Sequence, residues 1–205
     1  MSFDPQRTAV IAVHFQNDIV GPDGAFAGFF RAEVERTGVI ASAARLLAGA
    51  RDAGATVIYT RVAWQPGHTD LDANSPLLGM VAQTQCLQDG SAGAAIVDEV
   101  APQDGDGVVT HKRVGGFAGS ELDATLKAAG IDTVVFAGVA TNASVEGTAR
   151  DASDLGYRTV VVADACSAGS ETAHAASLES LGLLAEISSV DEVLAGLSQS
   201  AGANA

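Results

Sequence analysis

Three polar side chains stand where apolar runs give out. His14 closes the run Thr8–His14, Lys112 closes Val108–Lys112, and Ser144 follows Thr133–Val139. Imidazole, ammonium and hydroxyl are together the parts of an acyl-transfer site. A neutral imidazole takes the proton of a serine hydroxyl too weakly acidic to ionise alone. An ammonium beside it lowers the imidazole's pKa by like-charge repulsion and keeps it able to accept that proton. Each residue alone has an ordinary alternative: a half-buried histidine hydrogen-bonded at a strand end, a serine capping a helix, a lysine snorkelling from a sheet edge. What separates the two cases is whether the three groups meet, and the surrounding elements decide that.

Those elements alternate. Runs rich in Val and Ile, at Thr8–His14, Ala55–Arg61, Val108–Lys112, Thr133–Val139, Arg158–Asp164 and more weakly Leu184–Ser188, are near-continuously apolar, as strands buried on both faces require. Between them, Ala32–Ala53, Ser120–Ala129, Ala143–Leu155 and Glu171–Leu181 read as helices, each followed by a glycine at or just past its end. Ser120, with Asp123 three residues on, has the form of an N-cap with an acidic first turn. The alternation predicts an α/β fold, a three-layer Rossmann-like sandwich around a mostly parallel six-stranded sheet, with residues 1–205 as one domain. In such sheets ligands bind beyond the carboxyl ends of the strands, near the point where strand order reverses. His14, Lys112 and Ser144 all lie at such ends. His111 alternates with Lys112 and is expected on the other side of its strand.

Gly21–Phe30 and Ala63–Gly107 are rich in Gly, Pro, Asp and Asn and read as long loops, of the kind that form lids or pocket walls. They hold Phe26, Phe29, Phe30, Trp64 and Met80, for substrate contact or for packing beneath the loops.

Composition narrows the partners. The chain has 205 residues, 47% of them hydrophobic, and a net charge of −14 from 25 acidic and 11 basic residues. That length buries a full core, and that field repels phosphate backbones and anionic lipid. With no local basic patch, neither nucleic acid nor membrane is an expected partner; a small molecule is. The N-terminus has no apolar signal segment, and Cys86 and Cys166 are too far apart for a zinc or redox motif, so the expected home is the reducing cytoplasm.

Longer stretches carry a resemblance. Thr8–Asp18, Val108–Leu122, Gly138–Ala152 and Arg158–Ser167 are similar, in order and wording, to the isochorismatase-like hydrolases, also called cysteine hydrolases. The resemblance spans nearly the whole chain. It implies an Asp at the end of strand one as proton shuttle, a Lys at the end of strand three, and a nucleophilic Cys opening the helix after strand four. Here those places hold His14, Lys112 and Ser144, so two of the three residues are replaced and thiol chemistry loses its nucleophile. The resemblance further implies a cis peptide before Ala140 and an oxyanion hole from the amides of Ala140 and Ser144. Phe117, Trp64, Phe15 and Asn142 are expected around the substrate. Trp64–His68 offers one imidazole near Asp70 and Asp72, too sparse for a transition metal, so neither metal nor cofactor is expected. Homodimers or tetramers are implied.

Three functions follow as alternatives. One is hydrolysis of a small amide, ester or related acyl compound, with His14 as base, Ser144 as nucleophile or hydrogen-bonding group, and Lys112 as electrostatic support. A second is non-covalent cleavage of a vinyl ether, or water-mediated hydrolysis, with His14 as acid or base. The third is a non-catalytic relative that binds a small ligand.

Overall fold

The computed structural model describes residues 2–201, side chains through residue 199. Six strands form one parallel sheet: β1 (Thr8–Val13), β2 (Thr56–Val62), β3 (Gly107–His111), β4 (Thr133–Val139), β5 (Arg158–Ser167) and β6 (Glu186–Ser188). Their order is β3-β2-β1-β4-β5-β6, every neighbour parallel. The order reverses between β1 and β4, so the crevice beyond their carboxyl ends is the switch point where a ligand is expected.

The sequence alternation works as a two-sided device. Along β1, Val10 and Ala12 enter one core with Leu46 and Leu47, while Ala9, Ile11 and Val13 enter the other with Leu122 and Leu126. All six residues of β1 are buried, which is why polar residues appear only at its ends. Register brings those ends level: Val13 sits beside Gly138, and Val62 beside His111. Gly138, at φ 151°, has no alternative, since a Cβ there would lie 2.3 Å from the Val13 carbonyl oxygen.

The helices depart from expectation in three places. The stretch expected as one helix from Ala32 is two: α2 (Ala27–Thr37) follows the short α1 (Asn17–Val20) and ends at Gly38, where φ is 64°, and α3 (Val39–Asp52) restarts from it. A left-handed glycine caps a helix and cannot continue one. Ala63–Gly107 is not wholly irregular, for it contains α4 (Pro76–Thr84), opened by Pro76 and by Ser75, whose hydroxyl accepts from the Leu78 N–H at 3.3 Å. After β4 the chain first makes a wide turn, Thr141–Val145, before α6 (Glu146–Asp154). The remaining helices are α5 (Leu122–Ala128), α7 (Glu171–Leu181) and α8 (Val190–Ala201). Glu121, rather than Ser120, stands at the N-cap of α5, although the Ser120 hydroxyl still accepts from the Leu122 N–H. Among the described residues no helix is long and apolar enough to cross a membrane.

Candidate active site

β1 ends one residue before His14, and the chain turns there: His14 takes φ 57° while its N–H donates to the Thr60 carbonyl at 3.0 Å. Gln16 secures the turn. Its amide donates to the carbonyls of Val62 and Ala94, both at 2.9 Å, and its carbonyl accepts from the Val62 N–H at 2.8 Å. Asp18 ties the following loop by accepting from the Leu87 N–H at 2.8 Å. A glutamine beside a strand end follows no pattern that marks it in a sequence, so Gln16 emerges only from these bonds.

Opposite, the Val139–Ala140 peptide is cis. The turn after it carries the buried Ser144, and the hydroxyl of Thr141 in the same turn meets His174 Nδ1 at 2.8 Å. His14, Val139, Ala140 and Ser144 line one pocket, a cavity of about 60 Å³ partly open to solvent. Its walls come from the two expected loops: Phe26 and Phe30 from one, Trp64, Leu78 and Leu87 from the other.

The expected trio does not meet. Lys112 turns outward, its side chain half exposed, and pairs with Asp70 at 2.5 Å, which holds that carboxyl below its usual pKa. His111 takes the inner place. Its Nε2 lies 2.8 Å from His14 Nε2, the two rings meeting edge to edge with centroids 4.8 Å apart and planes 22° from parallel. The correction follows from strand alternation, which sends residues 111 and 112 to opposite sides and makes a choice of one the exclusion of the other. Three further expectations move as well. Phe117 stacks on Tyr157 within the core on the opposite face of the sheet, because the chain after Lys112 crosses to that side. Phe15 is buried in the nearer core and Asn142 is exposed, and neither lines the pocket. Phe29 and Met80 also stay off its walls.

The hydrogen bonds decide where the ring protons sit. His111 Nδ1 lies 2.9 Å from the Arg113 carbonyl, which can only accept, so Nδ1 carries the proton and the Nε2 of neutral His111 is bare. The short Nε2–Nε2 contact then requires His14 to donate from its own Nε2. His14 Nδ1 is left unprotonated and, among the described residues, without a partner. Ser144 Oγ makes no side-chain hydrogen bond there either. Burial keeps both rings neutral. It drives the pKa of His14 well below its ordinary value, helped by the neighbouring His111, and it lowers that of His111 to about 4 against the bond to the Arg113 carbonyl.

Neither thiol substitutes for the serine. Burial pushes Cys166 up to about 12, deep in the core away from the pocket, and raises Cys86 as well. His68, the imidazole near Asp70 and Asp72, gives its Nε2 to the Cys86 carbonyl at 2.7 Å. Among the described residues no three His, Cys, Asp or Glu side chains gather to hold a metal ion.

Comparison with known proteins gives this geometry a context. The isochorismatase domain model matches residues 8–192. The chain is 38% identical to the ureidoacrylate amidohydrolase RutB of Methylobacterium radiotolerans, over 88% of this chain and 75% of that protein. A cysteine hydrolase from Pseudomonas syringae superposes with a TM-score of 0.88 at 26% identity, covering 98% of this chain and 96% of that one. The N-carbamoylsarcosine amidase of Thermoplasma acidophilum superposes with a TM-score of 0.73 at 27% identity, over 90% and 97% of the two chains.

Proposed function

The chain belongs to the isochorismatase domain family, and from that premise we propose that it hydrolyses a small amide, ester or related acyl compound with His14 as general base. The observation that carries this is the bare Nδ1 of His14 on a ring that lines the same pocket as Ser144, Val139 and Ala140. The Ser144 hydroxyl attacks the substrate carbonyl as Nδ1 takes its proton, and the amides of Ala140 and Ser144 receive the developing oxyanion. The imidazolium so formed stays tied through Nε2–H to the lone pair of His111, a charge-assisted bond. The proton then passes to the leaving group, and water cleaves the acyl-enzyme with the same base. His111 is a positioning residue in this scheme, because it fixes which nitrogen of His14 is free. Lys112, paired with Asp70 outside the pocket, is given no step.

One observation favours a second route. Ser144 Oγ and His14 share no hydrogen bond, which leaves room for His14 to activate a water directly while Ser144 only binds the substrate. The depressed pKa of His14 keeps its ring unprotonated at neutral pH and counts against the variant in which imidazolium protonates a vinyl ether. The protein is further read as cytoplasmic and as a dimer or tetramer, the latter supported by apolar Ile187 exposed on β6, the last strand of the sheet, and by Leu183 exposed in the turn before it.

The test is turnover of a panel of short esters and amides by the wild type and by Ser144→Ala, with mass spectrometry for a trapped acyl group. Loss of turnover in the variant, with an acyl adduct on the wild type, supports the covalent scheme. Retained turnover without an adduct transfers the reaction to the water route. No turnover of any member leaves the non-catalytic ligand-binding alternative.

A further inference from the structure

The turn that carries Ser144 is gripped from outside the pocket. Thr141 opens it, between Ala140 and Ser144, whose amides the hydrolase reading assigns to the oxyanion. The Thr141 side chain is fully buried, and its hydroxyl reaches one partner among the described residues, His174 Nδ1 at 2.8 Å. A buried hydroxyl hydrogen needs an acceptor, so Thr141 donates and Nδ1 is the bare nitrogen of a neutral His174. The Thr141 carbonyl is met as well. Ser177 Oγ lies 3.1 Å from it and 2.6 Å from Glu146 Oε2, and its one hydrogen is shared between these two acceptors. Ser180 Oγ accepts from the Arg150 guanidinium at 2.7 Å, and Arg150 in turn pairs with Glu146 at 2.9 Å. His174, Ser177 and Ser180 thus make one face of α7, laid along the turn and the start of α6. His174 itself is half-buried and lies off the pocket walls.

We propose that His174 is a positioning residue for acyl transfer, holding Thr141 so that the amides of Ala140 and Ser144 are set for the oxyanion before substrate arrives. This deepens the hydrolase reading and rests on it for the step that is served. Within the turn, the Ala143 and Val145 N–H groups both return to the Ala140 carbonyl at 3.1 Å, in place of a regular α-helical ladder. The orientation of its peptide groups therefore depends on ties from outside, and α7 supplies them. Donors aimed at developing charge act on the transition state, and a small misplacement costs rate. The walls that hold the ground state, Phe30, Leu78 and Leu87 among them, belong to other elements. Loss of the His174 bond is thus read in kcat and not in KM.

The decisive variants are His174→Leu, which removes the acceptor, and His174→Asn, whose carboxamide oxygen can again accept the Thr141 hydroxyl. On an ester or amide that the wild type turns over, His174→Leu is expected to lower kcat about tenfold, with KM within about twofold. His174→Asn is expected to recover most of that loss. Thr141→Val should match His174→Leu, and the double variant should be no worse than either, because both remove the same bond. A loss carried by KM, equal losses in the Leu and Asn variants, or additive losses in the double variant would overturn the proposal. The second readout needs no turnover. The backbone amide NMR signals of Ala140 and Ser144 are expected to move in His174→Leu and to return in His174→Asn. Unmoved signals would also overturn it, and the His174 arm stands even where Thr141→Val fails to fold. Signals that move and return in a protein that turns over no ester or amide would sink the hydrolase reading, leaving intact the hold of His174 on the turn.

Discussion

Residues 111 and 112 are neighbours in sequence and occupy opposite electrostatic regimes. Inside, His111 and His14 form a desolvated pair without a counter-charge, both neutral because burial opposes their protonation. Outside, Lys112 meets Asp70, Arg113 meets Asp72 and Arg61 meets Asp89, a rim of fully charged pairs open to water. The inner region replaces the ion pair that the family resemblance implies with two neutral rings ordered by a backbone carbonyl. The contrast teaches that one step along a strand decides whether a cationic side chain does chemistry or decorates a surface.

Removing the inner base should break the contrast most severely. His14→Leu is expected to lower turnover of any substrate at least about 100-fold, the usual worth of a positioned general base, with folding checked by circular dichroism. A smaller loss would move the chemistry away from the imidazole.

Acid should expose the difference next. A histidine whose folded pKa lies below its unfolded value stabilises the fold only above the unfolded pKa, because the unfolded chain binds the proton first. Stability is therefore expected to fall as pH drops from about 6.5 towards 4, by on the order of 3 kcal/mol for His111. Urea unfolding at pH 7 and pH 5 brackets a window above the carboxylates, and His111→Phe should flatten it. The pH profile of kcat/KM should show no acid limb at the ordinary histidine value, since burial keeps His14 unprotonated there. An acid limb near 6.5 would contradict the burial argument.

His111→Phe should also cost about tenfold in kcat, with His111→Gln recovering part of it, because a carboxamide oxygen can again accept the His14 Nε2–H. Equal losses in both would make the residue merely structural. Least affected should be Lys112→Ala. With a half-exposed side chain, its pair with Asp70 is expected to contribute less than about 1 kcal/mol, and turnover should change by no more than about twofold.

The fold was legible because β1 and β4 are apolar on both faces, a pattern only a covered parallel strand needs. His14, Ala140, Ser144 and Trp64 were legible as pocket residues because strand ends and long loops are where a parallel sheet opens. The exchange of His111 for Lys112 was not legible from alternation, which says that two residues face apart and not which of them faces β1. Arg113 and Gln16 escaped for another reason. Their parts come from backbone carbonyls and loop contacts, which leave no mark in residue type. The break at Gly38 depended on a left-handed φ that the sequence permits without requiring.

The central claim is that His14 is neutral at pH 7, protonated on Nε2 and bare on Nδ1. Nitrogen-15 NMR of the imidazole rings measures this directly, since protonated and bare ring nitrogens resonate far apart. The account predicts one bare nitrogen on His14, assigned to Nδ1, and one on His111, assigned to Nε2. A protonated Nδ1 on His14, or a ring with both nitrogens protonated at neutral pH, would contradict it.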